Sequence, residues 1–321
     1  MRPFLPAYRA PRQHKVRAVM DMKIRYGPLC LLSALGVLFL AESTSIRAAT
    51  TEALALCAAS VIPALFPFLV VSSLLLSCGL GEWAAVHLAG FMTPLFRLPG
   101  CAASALLLGL VGGYPVGVRT AAQLYRQGSL TKNEASRLLT FCNNASPVFL
   151  ISVLGQGVFG SFSAGLWLWL VHLASALLTG LLFRRTEARD PTVPRVGEVR
   201  AVHLPSAFVR AVTESTSAMI SICGFVTLFY VLSRPLAALG GSVGAALTGG
   251  VELFSLTPLL KADGVGFVLA SACTAWGGVS LHCQSAAVLE GSGLSPRWCV
   301  VGKAVQGLFA AALAALVWGR I

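Results

Sequence analysis

Long apolar runs alternate with short polar or glycine-rich segments along this chain. With their flanks, six runs reach the roughly 17 to 25 residues needed to cross a lipid bilayer as helices: 27–41, 54–76, 139–158, 162–183, 212–232 and 300–318. Other apolar segments form two pairs, each interrupted by a short polar turn: 83–96 with 101–111, and 236–260 with 265–276. We interpret each pair as a broken helix that enters and leaves on one side of the membrane, either re-entrant or fully spanning. The pattern predicts an all-α polytopic membrane protein.

The second half of the chain repeats the first at a constant offset of 165 positions (277 against 112). GGYPVGVRTAAQLYRQGSL at 112–130 aligns without gaps with GGVSLHCQSAAVLEGSGLS at 277–295. In each copy a long apolar run ends at paired glycines. Duplicated units with glycine-interrupted apolar segments are typical of secondary transporters.

Charge predicts how the two repeats are oriented. The chain has 321 residues, of which 56% are apolar and 11% charged, so it lacks the charged surface that a soluble domain of this size needs. Seven cations precede Tyr26, four lie within 119–137 and six within 184–210. Only a topology with an inverted second repeat places all three clusters in the cytoplasm, where basic loops are favoured. The net charge of +12 therefore reflects membrane topology and does not indicate nucleic-acid binding.

The predicted organisation follows from this topology. It comprises a basic cytoplasmic N-terminal segment (1–26), a first transmembrane helix with an external loop (27–52), membrane repeat 1 (53–183), a cytoplasmic linker (184–210) and inverted membrane repeat 2 (211–321).

The first helix break supplies candidate residues for solute binding. Gly112 and Gly113 free the backbone, and Pro115 has no N–H and biases Tyr114 away from helix. Tyr114 then offers a ring and a hydroxyl to a solute, unless the motif is a simple interfacial turn with a tyrosine in the aromatic belt. Arg119 follows directly, either as a solute ligand or as a cytoplasmic anchor.

The segment FCNNASPVF at 141–149 is the most specific polar cluster in the chain. Two adjacent carboxamides, Asn143 and Asn144, would need partners in an apolar environment, as would Ser146. We favour a polar cavity lining, which suits an uncharged or zwitterionic solute. Hydrogen bonding between helices is the alternative.

In the second repeat Glu252 is the candidate for ion coupling, because an ionised carboxylate inside a membrane is costly and usually serves an ion or proton pathway. An interfacial glutamate is the alternative. His282 and Gln284 match Gly117 and Arg119 by the offset and could face the same cavity.

Enzyme and cofactor chemistry has little support in the sequence. Motifs of common hydrolases, metalloproteases and nucleotide-binding loops are missing from it. Nine cysteines form no CxxC pair and lie mostly in apolar runs. We expect no catalytic residues, no metal site and no cofactor.

Several segments of the chain closely resemble the YlbJ-type sporulation integral membrane proteins. They are LFPFLVVSSLLLSCGL at 65–80, PLFRLPG at 94–100, LGLVGGYPVGVRTAAQLYRQGSLT at 108–131, LLTFCNNASPVFLISVLG at 138–155, SAMISICGFVTLFYVL at 217–232 and WGGVSLHCQSAAVL at 276–289. Those proteins are grouped with the nucleoside-recognition, or Gate, domains. The resemblance implies a bacterial cell membrane, a role in spore development and a transport-related architecture. It supplies no substrate. The turn usual in that family is replaced here by ELFSLTP from Glu252, so no role of an Asn or Gly in the second break is carried over.

Two functions are compatible with these observations. The first is a secondary-transporter-like permease of a small polar solute, with nucleoside-like compounds as one class, that works by alternating access between inverted repeats. The second is a non-transporting membrane scaffold for assembly of the spore envelope or cortex. The expected partners are the lipid bilayer and the solute, and self-association into a homo-oligomer is left open.

Overall fold

The apolar runs fold as helices, because a chain in a bilayer must pair its backbone N–H and C=O groups within its own segments. The computed structural model describes residues 12–184 and 203–320, and every regular element in those ranges is a helix. Most of the predicted linker and residues 1–11 of the predicted N-terminal segment lie outside the described residues. The all-α prediction is confirmed.

Fifteen α-helices are described in chain order, joined in places by short π-helical or 3-10 turns. They are α1 (Arg12–Ala41), α2 (Ser43–Leu56), α3 (Ile62–Ser77), α4 (Leu80–His87), α5 (Ala89–Phe96), α6 (Ala102–Gly112), α7 (Val116–Arg126), α8 (Lys132–Leu138), α9 (Phe162–Leu182), α10 (Leu204–Ala237), α11 (Gly241–Val251), α12 (Leu253–Leu256), α13 (Gly264–Trp276), α14 (Gly278–Leu289) and α15 (Arg297–Val317). A π-helix at Phe149–Val158 precedes α9.

Five helical segments of the described chain are long and apolar enough to cross a membrane: Ser43–Leu75, Phe162–Leu182, Leu204–Ala237, Gly264–Leu289 and Arg297–Arg320. Their outer faces expose large apolar side chains, such as Ile220, Leu308 and Leu316 at 70 to 75%. Polar side chains, in contrast, are buried inside. Apolar surface of this extent suits lipid, in agreement with the prediction of a polytopic membrane protein.

The predicted span 139–158 is wrong as a single helix. Residues 143–146 form no regular structure, and the helix that follows is a π-helix of 10 residues. Asn143, Asn144 and Ser146 compete with helical hydrogen bonds through their side chains, and Pro147 has no N–H to donate. The broken pairs are also more fragmented than predicted, since α4 and α5 are separate helices and Glu252 separates α11 from α12.

The described chain divides into two compact units, one up to Ala49 and the other from Thr50 onward. Within the second unit, residues of both repeats share the core. Phe149 packs edge-on against Phe254 with ring centroids 5.0 Å apart. Helix α13 packs on α15, α3 on α10, and α7 on α14. Neither repeat therefore builds its core alone.

Residues 140–146, which include the break at 143–146, are called the interrupted segment below. Glycines let this segment lie close to three helices. A Cβ atom added to Gly109 of α6 or to Gly117 of α7 would collide with the carbonyl oxygen of Cys142. On the other side, a Cβ atom at Gly302 of α15 would collide with the backbone of Thr140. The segment from Thr140 to Cys142 is thus packed directly against helix backbone in both repeats.

We predict that Gly302→Ala lowers the free energy of unfolding by about 1 to 3 kcal/mol, the usual cost of overpacking. The obstructing atoms are backbone atoms of Thr140, which cannot turn away as a side chain would. Thermal unfolding of the purified protein in detergent measures the effect. Gly224→Ala is the matched control: it lies in α10 with nothing within 4 Å of the added Cβ, so it should be neutral or slightly stabilising. Equal melting temperatures of the two variants would contradict the packing described here.

Candidate functional site

The first helix break packs directly on the interrupted segment. Helix α6 ends at Gly112 and α7 begins at Val116. Gly113 has φ of +77°, a conformation that favours glycine. A side chain at Gly113 would press on Ser146 at 3.1 Å. The break and the segment that carries Asn143, Asn144 and Ser146 therefore lie in direct contact.

Tyr114 joins this break to the corresponding break in the second repeat. Helices α13 and α14 are separated at Gly277, where φ is +89°. The Tyr114 hydroxyl donates a hydrogen bond to the carbonyl oxygen of Thr274 at 2.9 Å, in the last turn of α13. Both breaks therefore meet at one tyrosine side chain.

Lys303 connects the interrupted segment to α15. Its ammonium donates to the backbone carbonyl of Asn143 at 2.8 Å and to Oε1 of Gln306 at 2.8 Å. It also lies 5.1 Å from the centre of the Tyr114 ring, within the range of a cation–π interaction. The side chain is 1% exposed. One buried cation thus binds a carbonyl, an amide and a ring.

The two asparagine amides bind different protein groups. Asn144 donates to the carbonyl of Phe141 at 2.8 Å and accepts from Gln306 at 3.1 Å. Asn143 donates to the hydroxyl of Ser285 in α14 at 3.1 Å, while its Oδ1 is buried without a described partner. Both side chains are at most 1% exposed. These contacts connect the repeats, and the predicted contact of the amides with solute stays a prediction.

His172 of α9 completes the network. Its Nε2 accepts the backbone N–H of Ala145 at 3.1 Å, so this nitrogen must be unprotonated and the neutral ring carries its proton on Nδ1. That Nδ1 is buried with no hydrogen-bond partner among the described residues. The imidazole ring thus accepts the hydrogen bond of the Ala145 N–H, which has no helical partner because residues 143–146 are not helical.

A small cavity lies where the two breaks face each other. Its volume is about 40 Å³, enough for a few water molecules and far below the roughly 300 Å³ of small ligand pockets. Apolar side chains form most of its wall. Its polar lining comes from candidates named from the sequence: Gly112, Gly113, Tyr114, Ser146, Glu252 and Gln284.

Glu252 caps a helix at the wall of this cavity. Its Oε2 accepts the backbone N–H of Ser255 at 2.5 Å and the Ser255 hydroxyl at 2.8 Å, which makes it the N-cap of α12. The residue is 2% exposed, so it lies inside the protein and not at its surface. The carboxylate therefore has a structural role.

A wider vestibule with many polar groups on its wall lies beside this cavity. Its volume is about 640 Å³, and Leu69 belongs to the walls of both spaces. Hydroxyl and amide groups of α3 and α7 line it together with the charged residues Glu82, Arg119, Arg210 and Glu214. Pro115 lies on its wall, whereas Tyr114 lies on the wall of the cavity. The first break thus separates the two spaces.

Helices α3 and α10 line both spaces, and their contacts differ from one end to the other. At the vestibule, Arg210 of α10 donates to the hydroxyl of Ser77 at 3.1 Å. At the other end of α10, Arg234 forms an ion pair with Glu52, and Tyr230 donates to the same carboxylate at 3.1 Å. The space between α3 and α10 is therefore wide at the vestibule, and at the other end Arg234 ties α10 to Glu52 of α2.

His282 lies apart from the cavity wall. Its ring packs edge-on against Trp276, with centroids 4.3 Å apart, and its Nε2 has no described partner. Within the described residues, no group of three His, Cys, Asp or Glu side chains could hold a metal ion.

The sequence analysis missed three side chains of the network: His172, Lys303 and Gln306. His172 lies in the apolar run 162–183, and Lys303 and Gln306 lie in the run 300–318; both runs are predicted only as membrane spans. A signal was present, because an ionisable residue inside such a run marks a functional site by default. The spacing of Lys303 and Gln306 also places them on one helix face.

Comparison with known proteins agrees with the resemblance drawn from the sequence. Residues 58–165 match the family model for nucleoside recognition, named Gate. The sporulation integral membrane protein YlbJ of Bacillus subtilis (strain 168) is 28% identical over 306 aligned positions, which cover 80% of this chain and 74% of that protein. An uncharacterized protein of Alkalihalophilus pseudofirmus is 30% identical over 122 positions, 38% of this chain and 25% of its own length. No solved structure gives a significant match.

We predict that Asn144→Leu lowers the free energy of unfolding by about 1 to 3 kcal/mol, because the Phe141 carbonyl and the Gln306 amide each lose a buried partner. Thermal unfolding in detergent measures this. Asn133→Leu, at an exposed position of α8, is the matched control and should change the melting temperature little. An unchanged melting temperature of Asn144→Leu would show that its amide is not part of a stabilising network.

Proposed function

We propose that this chain is a secondary-transporter-like permease of a small polar solute in the bacterial cytoplasmic membrane, and that it acts in sporulation. The observation that carries the proposal is the small cavity at the meeting point of the two helix breaks, with a polar vestibule beside it. Unwound backbone at depth is tolerated where it is buried in protein or lines a cavity. Transporters built from repeats bind their solutes at such breaks.

We place the second repeat in the membrane upside down relative to the first. The vestibule includes Arg119 and Gln127 on its wall, and the surrounding loop carries one of the basic clusters that the positive-inside rule assigns to the cytoplasm. The vestibule then opens to the cytoplasm, and the Glu52–Arg234 ion pair closes the external end. In this interpretation the structure corresponds to an inward-facing state.

The solute class follows from the groups on the proposed route. A hydroxyl from Tyr114, another from Ser146 and the amide of Gln284 are neutral donors and acceptors, whereas Glu252 offers one carboxylate. Such a lining suits a polar solute with several hydroxyl or amide groups and no strong net charge. Nucleosides have this chemistry, and the name of the matching family model points to the same class. A role of Glu252 in ion coupling stays a prediction from the sequence.

A non-transporting scaffold in spore envelope assembly is the alternative. It is favoured by the small volume of the cavity and by the fact that most polar groups around it already bind each other. A scaffold needs a rigid, filled centre and no vacant site.

The proposal predicts that a nucleoside raises the melting temperature of the purified protein. Binding stabilises the folded state through mass action, by about 2.7 kcal/mol when the ligand is at 100 times its Kd. A thermal-shift screen with nucleosides, amino acids and spore metabolites, followed by uptake into proteoliposomes, measures binding and transport separately. Gln284→Leu should weaken binding by about 1 to 3 kcal/mol, since a buried solute group would lose its partner.

Gln156→Leu is the matched control, because Gln156 is exposed on the π-helix and away from the cavity wall. Binding that Gln284→Leu leaves intact would contradict the assignment of the cavity. If no compound shifts the melting temperature, while a strain that lacks the gene still makes defective spores, the scaffold would be favoured.

The inverted orientation predicts opposite exposure of equivalent loops. Gln127 and Glu290 are both exposed and lie in the loops that follow α7 and α14. In a background without accessible cysteines, Glu290→Cys should react with a membrane-impermeant maleimide in intact cells. Gln127→Cys should react only after permeabilisation. Labelling of both positions from the same side would refute the inversion.

A further inference from the structure

Lys303 is the one lysine or arginine among the buried residues that the structure describes. An ammonium inside a membrane protein is costly and usually pairs with a carboxylate. Here the described ion pairs involve Arg210 and Arg234, and the partners of Lys303 are neutral. The ammonium is thus stabilised by two oxygen atoms and an aromatic face, without a counter-charge.

The contacts of Lys303 cross the boundary between the repeats. Lys303 and Gln306 belong to the second repeat, whereas the Asn143 carbonyl and the Tyr114 ring belong to the first. Any movement of one repeat against the other must lengthen some of these contacts. The state of this single side chain is therefore linked to the relative position of the repeats.

Loss of one proton would change only part of this arrangement. A neutral amine keeps two N–H donors for Asn143 and Gln306 but no longer attracts the face of Tyr114, because a cation–π interaction requires the charge. Tyr114 lines the small cavity and carries the hydrogen bond to Thr274 that joins the two breaks. Neutralising Lys303 would release the ring that separates the ammonium from the cavity.

We propose that Lys303 is the proton-carrying residue that couples proton movement to alternating access. In one state the Nζ–H bond breaks and the proton passes to water, which leaves a neutral amine with its lone pair. In the other state the amine takes a proton from water on the opposite side. The proposal rests on the proposed transport function and deepens it, because it names a proton as the coupling ion and Lys303 as its carrier.

Glu252 fits the carrier role less well than Lys303. One oxygen of its carboxylate is held by two hydrogen bonds within a single turn of α12. Its partners come from its own local segment, so protonation of Glu252 would loosen a helix cap without loosening a contact between the repeats.

Other titratable groups surround Lys303 and must be considered in any test of pH dependence. Those on its own helix and on neighbouring segments are Tyr114, Cys142, His172, His282 and Cys299. Side chains on two further packed helices face elsewhere: Cys273 of α13 donates to α11, while Glu134 and Arg137 of α8 bind Thr131 and the Arg97 carbonyl.

The test follows opening of the vestibule as pH changes, with no solute present. Ser72→Cys is the reporter, because Ser72 lies on the vestibule wall and is 4% exposed. The full chain, with its exposed and half-buried cysteines replaced and the buried Cys142 and Cys299 retained, is reconstituted in phosphatidylethanolamine–phosphatidylglycerol vesicles. The rate of maleimide labelling, corrected for the pH dependence of a small-molecule thiol, is measured from mildly acidic to mildly alkaline pH.

We expect the corrected rate to change at least about fivefold with pH, the lower range for coupled sites, and Lys303→Met to abolish the change. Lys303→Arg keeps a charge that does not titrate, so its labelling rate should also be independent of pH. This variant replaces Lys303→Met in the test if the methionine variant does not fold. Lys261→Met, at an exposed lysine, is the matched control and should behave as the parent chain.

Three results would overturn the proposal. They are a parent chain whose labelling does not depend on pH, a folded Lys303→Met or Lys303→Arg protein that keeps the dependence, and a dependence that Glu252→Gln removes while Lys303→Arg retains it. Failure of the transport function would appear separately, as normal pH-dependent opening without binding or uptake of any compound screened.

Discussion

The structure depends on one constraint: backbone groups that leave a helix inside an apolar protein must find new partners. Residues 143–146 break the apolar run between α8 and the π-helix, and each buried backbone group left without a hydrogen-bond partner there would cost several kcal/mol. Lys303 binds the Asn143 carbonyl, His172 accepts the Ala145 N–H, and Asn144 binds the Phe141 carbonyl. The break persists because three side chains from separate parts of the chain take over the lost helical bonds.

The same constraint explains why the two repeats form one body. The partners of the interrupted segment lie in α9, α14 and α15, and the glycine contacts that admit the segment lie in α6, α7 and α15. An isolated first repeat would therefore leave the Asn143 carbonyl without its ammonium. Tyr114 adds a direct bond between the two breaks. The site is built from contacts that cross between repeats, so a relative movement of the repeats necessarily remodels it.

The pattern of apolar residues predicted the helices well where an apolar run has few polar interruptions. The expected span 162–183 corresponds to α9 at Phe162–Leu182, and 300–318 corresponds closely to α15 at Arg297–Val317. The span 139–158 failed because hydropathy averages over residues, whereas two amides and a proline decide the local conformation. The partners of Asn143 could not be predicted at all. Ser285 is 142 positions away, and no local periodicity records a contact at that separation.

Duplication also has a limit that bears on mechanism. The offset of 165 that aligns the glycine breaks pairs Lys303 with Leu138, a fully buried residue of the apolar core. The two copies thus use one backbone position for opposite purposes, apolar packing in the first and a buried charge in the second. Two symmetric repeats would have equivalent packings open to either side. A charge present in only one of them removes that equivalence, so the balance between the packings depends on how well Lys303 is accommodated in each.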